Sequence, residues 1–256
     1  MVPSTIPLNP QTLPDNDNIP GNSYAYCVRL DGQLFMQTGR MIAYYPAGGG
    51  PGIRFEPLSS RSIGGMVAMR FSAPLYTRDW VVANGSGHLI LGDRGYDINS
   101  YDIEDGNLTL RAANLLAFEP GLQLQQSIVP GFLTLIGTGT FLASSSGPVI
   151  FAEPPIRVDP QALVGWADCP SPSHHYDAGW MQGFLNGALG MMGVQSGEER
   201  QFDFTGAGTV LLQSSERAVA DPHLARQLEG QVGMLDTGGL QQVQRAVTQR
   251  LAERRQ

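Results

Sequence analysis

The stretch Gly85-Ser86-Gly87-His88-Leu89-Ile90-Leu91 places a Gly-x-Gly pair directly before an apolar run, and the chain contains this arrangement three times. The other copies are Gly137-Thr138-Gly139-Thr140-Phe141-Leu142 and Gly206-Ala207-Gly208-Thr209-Val210-Leu211-Leu212. Glycines inside or beside strands mark bends, bulges or close backbone approaches, so each copy predicts a bent strand. Three copies at similar spacing indicate an internally repeated β unit.

A second pattern, two short apolar runs joined by a polar turn, also occurs three times. Its copies are Leu34-Phe35-Met36 with Met41-Ile42-Ala43-Tyr44, Leu108-Thr109-Leu110 with Leu115-Leu116-Ala117-Phe118, and Ile156-Arg157-Val158 with Leu163-Val164-Gly165-Trp166. Such runs are typical of paired strands. Asp31-Gly32 predicts a hairpin turn directly before the first copy. The sequence therefore predicts an all-β protein.

The chain divides by composition into three parts. Residues 1–23 are rich in proline and predict an extended arm. Residues 24–216 form the predicted β body, with units at about 24–84, 85–136 and 137–216. Residues 217–256 predict a tail of α-helices, because Asp221-Pro222 is a helix start and apolar residues then follow at helical spacing.

Composition excludes several classes of protein. The hydrophobic content of 42% suffices for a core, and the net charge is −7 with no lysine in the chain. An acidic body without lysine argues against binding to a nucleic-acid backbone. We find no signal peptide, no Arg-rich transit peptide and no apolar run long enough to cross a membrane, so we expect a cytoplasmic protein.

Cys27 and Cys169 lack metal-ligand spacing and are expected to be small apolar residues near strands.

The third Gly-x-Gly copy carries a family resemblance. Ser196-Gly197-Glu198 followed by Phe202-Asp203-Phe204-Thr205-Gly206-Ala207-Gly208-Thr209-Val210-Leu211-Leu212-Gln213 resembles the closing signature of the AIM24 family, also called DUF124, with Ala207 in place of the usual proline. The segments from Gly32 to Tyr44 and from Gly106 to Phe118 are also similar to that family. The resemblance covers roughly residues 24–216.

The resemblance implies a fold related to the tryptophan RNA-binding attenuation protein (TRAP). This would be a short double-stranded β-helix, or β-sandwich unit, repeated three times around a pseudo-threefold axis. The family is mostly of unknown biochemical function, and its eukaryotic members are mitochondrial. A chain without a transit peptide resembles the bacterial branch. RNA binding does not follow from the fold.

Candidate metal ligands are few. His174, His175 and Asp177, with Asp168 nearby, form the one cluster of histidine and carboxylate. The alternative is a polar loop whose histidines bind the backbone, and we favour it because adjacent histidines on a strand point to opposite faces. The chain has no His-x-His motif of the metal-binding cupins, and its Gly-x-Gly pairs precede strands rather than nucleotide-binding helices. We expect no cofactor and no catalytic residue.

Residues 179–194 are apolar, glycine-spaced and almost uncharged, which predicts either an interaction surface or core of the third unit. Contact with a membrane surface is less favoured, since no basic face accompanies the segment. One face of the C-terminal helix is a second candidate. The predicted interaction residues are Trp180, Met181, Phe184, Leu185, Leu189, Met191, Met192, Leu240, Val243, Val247 and Leu251.

Two functions remain open at this point. The first is a non-enzymatic scaffold or protein-interaction module that forms homo-oligomers. The second is a small-ligand or metal-binding β module that uses the loop at 168–177.

Overall fold

The computed structural model describes residues 8–47, 52–58, 70–129, 131–168 and 202–217. They all belong to the first of two units into which the chain divides, Met1–Val219. Besides a short 3₁₀ helix at Pro74–Asp79, the regular elements in these ranges are strands. The strands are β1 (Asp17–Ile19), β2 (Asn22–Gln37), β3 (Met41–Pro46), β4 (Arg54–Pro57), β5 (Phe71–Ser72), β6 (Trp80–Gly92), β7 (Asp97–Arg111), β8 (Leu115–Phe118), β9 (Leu122–Gln126), β10 (Phe132–Ser145), β11 (Val149–Ala152), β12 (Ile156–Val158), β13 (Leu163–Ala167), β14 (Phe202–Phe204) and β15 (Thr209–Gln213).

The described strands form one 13-stranded sheet and one two-stranded sheet. The main path of the large sheet runs β11-β15-β13-β7-β10-β8-β2-β6-β3, while β12 pairs with β14 in the small sheet. Their pairings are antiparallel except that of β5 with β9. The predicted β class is confirmed. The predicted C-terminal helices lie outside the described residues.

The predicted hairpin turn at Asp31-Gly32 is wrong. Strand β2 continues through both residues and pairs with β6 along its length, with Gly32 opposite Gly85. Gly85 has a φ of +146°, and a side chain there would meet the carbonyl oxygen of Gly52. Gly137 has a φ of +119°, and a Cβ atom there would lie 2.8 Å from the carbonyl oxygen of Gly121. The predicted close backbone approach at the Gly-x-Gly pairs is therefore confirmed at these two positions.

Three groups of strands share one pairing pattern. Group 1 is β2, β3 and β6; group 2 is β7, β8 and β10; group 3 is β11 to β15. In each group the short strand that follows the polar turn pairs antiparallel with the segment that follows a Gly-x-Gly pair. Each of these pairings is irregular at one residue, which is Ile42 in β3, Leu116 in β8 and Val164 in β13.

Neighbouring groups are joined by the same pairing, which we call the joint. At the first joint, β2 of group 1 pairs with β8 of group 2. At the second, β7 of group 2 pairs with β13 of group 3. The registers are equivalent, because Met36 faces Ala117 and Phe35 faces Phe118 at the first joint, while Leu110 faces Gly165 and Thr109 faces Trp166 at the second.

The aromatic residue at each joint is buried against the preceding group. Phe118 stacks on Phe35 with ring centroids 4.7 Å apart and lies 5.3 Å from Trp80. At the second joint, Trp166 lies 5.1 Å from Phe132. Offset and tilted aromatic pairs add about 0.5–1.5 kcal/mol each beyond the area they bury. The two joints therefore repeat a packing contact as well as a hydrogen-bond register.

A buried carboxylate links all three groups. Asp93, directly after β6, has a side chain with no exposure to solvent and pairs with Arg40 of group 1. It also accepts a hydrogen bond from the hydroxyl of Ser144 in group 2. Arg217, which follows β15, places Nη2 3.3 Å from Asp93 Oδ2 and stacks 3.8 Å over the ring of Tyr96. Burial lowers the pKa of the Arg40 guanidinium, because a buried charge loses its hydration.

We expect Asp93→Asn to destabilise the fold by about 3–5 kcal/mol, because it leaves two largely buried guanidinium groups without a counter-charge. Urea unfolding of both proteins measures the difference. Asp105→Asn is the matched control, since Asp105 is exposed in β7 at a positive φ that asparagine tolerates. Equal unfolding midpoints for the two variants would contradict the role given to Asp93.

Candidate functional site

Most residues predicted from the sequence as sites lie outside the described ranges. These are His174, His175, Asp177, Trp180, Met181, Phe184, Leu185, Leu189, Met191, Met192, Leu240, Val243, Val247 and Leu251. Asp168 is described; it follows β13, is exposed and has a φ of +58°. Within the described part of the chain, no group of three or more His, Cys, Asp or Glu residues is placed to hold a metal ion. In that part, too, no helix has the length and apolarity to span a membrane.

The outer edge of β3 presents large apolar side chains to solvent. Met41 is 41% exposed, Ile42 60% and Tyr44 42%. Their counterparts in group 2, on β8, are fully buried, and that strand lies between β10 and β2. The strand β3 thus has the composition of a joint strand, and it lies at one end of the described sheet order.

Residues 8–19, which we call the arm, cover the apolar face of group 1 beside this edge. Leu13 and Ile19 pack in one cluster with Ala25, Cys27 and Ile90, and Ala43 and Tyr45 border the same cluster. The short strand β1 fixes the end of the arm by pairing with the start of β2. The arm therefore acts as a cover for an apolar surface of the β body.

Polar contacts at Asp15 hold the arm on this face. Arg29 Nη1 donates a hydrogen bond of 2.7 Å to Asp15 Oδ2, and His88 Nε2 lies 2.9 Å from Asp15 Oδ1. The hydrogen bonds with His88 and Arg29 lower the pKa of the Asp15 carboxyl. Because the folded-state pKa is lowered, this contribution to arm docking is fully present above the usual pKa of an aspartate. It is lost as the pH falls from there through the lowered pKa of the docked carboxyl.

A cleft of about 480 Å³ lies between the arm and Ser86, Gly87 and His88 of β6. Asp15, Arg29 and His88 line it together with Asp31 and Tyr45. Its volume falls in the range of small-molecule sites. Sequence reasoning missed this constellation because Asp15 and His88 are 73 positions apart and no local motif marks either residue.

Cys27 reports on the arm, because the arm covers it. Its thiol is buried in β2, and this burial raises its pKa to about 11. Such a pKa leaves only about one thiolate in a thousand at pH 8, and the thiolate is the reactive form. We expect release of the arm to expose Cys27 and to move its pKa toward the ordinary value of a cysteine.

We expect Asp15→Asn to raise the rate at which Cys27 reacts with a maleimide at pH 8 by several-fold, since the neutral amide weakens the contacts with Arg29 and His88. The measurement uses a Cys169→Ser background so that Cys27 is the one thiol that can react with the maleimide. Asp31→Asn, on the same cleft, is the control and should leave the rate unchanged. An identical rate in Asp15→Asn and the parent would show that Asp15 does not hold the arm.

The chain is similar to a solved structure and to a protein-family model. A crystal structure of a Streptococcus pyogenes protein, determined by a structural genomics consortium, is 18% identical in sequence with a TM-score of 0.49, covering 82% of this chain and 92% of that one. The comparison with curated proteins gave no match. The family model described as "Mitochondrial biogenesis AIM24" matches residues 22–215. This match spans the described β body from β2 to β15, and the chain belongs to the AIM24 family.

Proposed function

We propose that this chain is a non-enzymatic scaffold or protein-interaction module that self-assembles, and that its three strand groups are internal repeats. The observation that carries the proposal is the exposed apolar edge of β3. The equivalent strands β8 and β13 are buried by a strand of the preceding group. An edge built like a buried joint is suited to receiving one more strand.

The shared pairing pattern supports the repeat. Irregular pairing at Ile42, Leu116 and Val164 recurs at the same position in all three groups. Arrangement of the groups around a pseudo-threefold axis, with a TRAP-like fold, stays a prediction. So do the bacterial origin and the cytoplasmic location.

The segment at 179–194 and the C-terminal helix face belong to the same proposal as further contact surfaces. Cutting the chain after Val219 tests the helix face and keeps Arg217 with its contact to Asp93. If the truncated chain forms oligomers with as many copies as the full chain does in light scattering, the C-terminal residues are not needed for assembly.

The alternative is a small-ligand or metal-binding module that uses the loop at 168–177. Metal analysis of protein purified without a tag tests the metal part. A metal content near zero would contradict metal binding by this loop. A stoichiometric metal content would favour the metal-binding module over the scaffold.

We expect the mass in solution, measured by light scattering, to rise above the 27.6 kDa of one chain as concentration increases from micromolar to millimolar. Ile42→Lys should reduce this rise, because a charge at the centre of the apolar edge opposes burial against a partner. Ile128→Lys is the matched control, since Ile128 is 69% exposed but lies in the turn after β9. A monomer at every concentration would overturn self-assembly.

A further inference from the structure

We propose that Arg29 and His88 form a binding site for a small organic monocarboxylate, and that the Asp15 carboxylate of the arm occupies this site as a tethered competitor. The cleft that these three residues line then has a ligand class. Such a site goes beyond the proposed scaffold role and is independent of self-assembly.

The two donors of the site project from the same face of the sheet. Arg29 of β2 and His88 of β6 stand directly opposite each other in the antiparallel ladder, so their side chains are neighbours. Arg29 Nη1 donates a hydrogen bond of 2.7 Å to one oxygen of Asp15, and His88 Nε2 lies 2.9 Å from the other oxygen. An ionised carboxylate only accepts hydrogen bonds, so His88 is the donor in its contact. The pair thus supplies one donor for each oxygen of a single carboxylate.

The carboxylate that occupies the pair can be exchanged. Asp15 comes from the arm, and the side chains of Arg29 and Asp15 are 63% and 52% exposed. Solvent and salt screen ion pairs that are this exposed, so the pairing itself stabilises the docked arm only weakly. A carboxylate from solution can accept the same two hydrogen bonds. The advantages that Asp15 keeps are its attachment to the chain and the packing of the rest of the arm.

The cleft beside the pair has room for the rest of a ligand. Its volume is about 480 Å³, and Leu30 and Pro46 contribute apolar walls while Ser86 contributes a polar group. Small-molecule sites combine apolar walls with a few polar groups that fix the orientation of the ligand. A short aliphatic chain therefore fits the cleft while its carboxylate contacts Arg29 and His88.

The charges around the cleft favour a ligand with one negative charge. The single guanidinium of Arg29 matches one carboxylate. Asp31 also lines the cleft, and its carboxylate repels a second negative charge on a ligand. We therefore expect a monocarboxylate to bind more tightly than a phosphate dianion.

Binding of the ligand and docking of the arm are coupled, because both require Arg29 and His88. The ligand weakens the hold on Asp15, and by reciprocity a weaker hold on Asp15 raises the affinity for the ligand. The neighbouring residue Asn16 has its own contact with β2, since its Oδ1 accepts a hydrogen bond of 2.9 Å from the backbone N–H of Arg29. The ligand therefore loosens the arm at Asp15 and does not need to detach β1.

The test is a titration with butyrate, followed by the NMR signal of the His88 ring, which is identified by its loss in His88→Gln. We expect a saturable shift in the parent. Asp15→Asn should bind butyrate several-fold more tightly, because the tethered competitor loses its charge and one of its two acceptor oxygens. Asp31→Asn is the matched control. It removes the same charge from the same cleft but leaves Asp15 in place, so we expect a much smaller gain.

Three further measurements test the ligand class and the role of Arg29. Butanamide has the size of butyrate without its charge and should produce no saturable shift. Inorganic phosphate should bind more weakly than butyrate in the parent and in Asp15→Asn. Arg29→Gln should lose the binding of butyrate, since it removes the charged donor.

The reactivity of Cys27 gives a second and independent measurement. In the Cys169→Ser background, butyrate should raise the rate at which Cys27 reacts with a maleimide. The rate should level off near that of Asp15→Asn without butyrate, because both changes release the same contact. Butyrate should change the rate of Asp15→Asn itself only slightly.

Several results would overturn the proposal. They are the absence of a saturable shift in Asp15→Asn, an equal response to butanamide, and retained binding of butyrate in Arg29→Gln. An equal gain in Asp31→Asn would show that charge alone acts and that Asp15 is not a competitor. Phosphate that binds as tightly as butyrate would contradict the choice of a monocarboxylate. None of these results bears on self-assembly, which light scattering tests separately.

Discussion

The structure depends on one constraint, that the edge of a strand must find partners for its backbone N–H and C=O groups. Each strand group has two edges, and a single group cannot satisfy both. The joint pairs such edges at two places with the same register, between β2 and β8 and between β7 and β13. Apolar packing follows the register, because a shift by one residue would turn Phe118 and Trp166 away from the rings they contact.

The sequence predicted the β class and the copied segments because both depend on local patterns of apolar and turn residues. It failed at Asp31-Gly32, where a local turn preference competes with a ladder that pairs β2 with β6 across the whole length of both strands. The β2–β6 ladder forms instead of the turn because Gly32, at a φ of +121°, fits within the strand pairing.

The surroundings of Asp15 were not predictable from sequence. Its partners Arg29 and His88 lie on two different strands and face each other in the β2–β6 ladder. A lone aspartate in a proline-rich segment has the same local sequence pattern whether its side chain is exposed to solvent or packed on a sheet. Tertiary packing, rather than any residue pattern, turns this segment into a cover.

The location of Asp93 has a consequence for how the chain folds during synthesis. Asp93 and Arg40 leave the ribosome early, Ser144 follows, and Arg217 comes last. The charge cluster is complete only when Arg217 has been synthesised. The cluster therefore connects all three strand groups, and a nascent chain that stops before residue 217 carries an unfinished buried charge cluster.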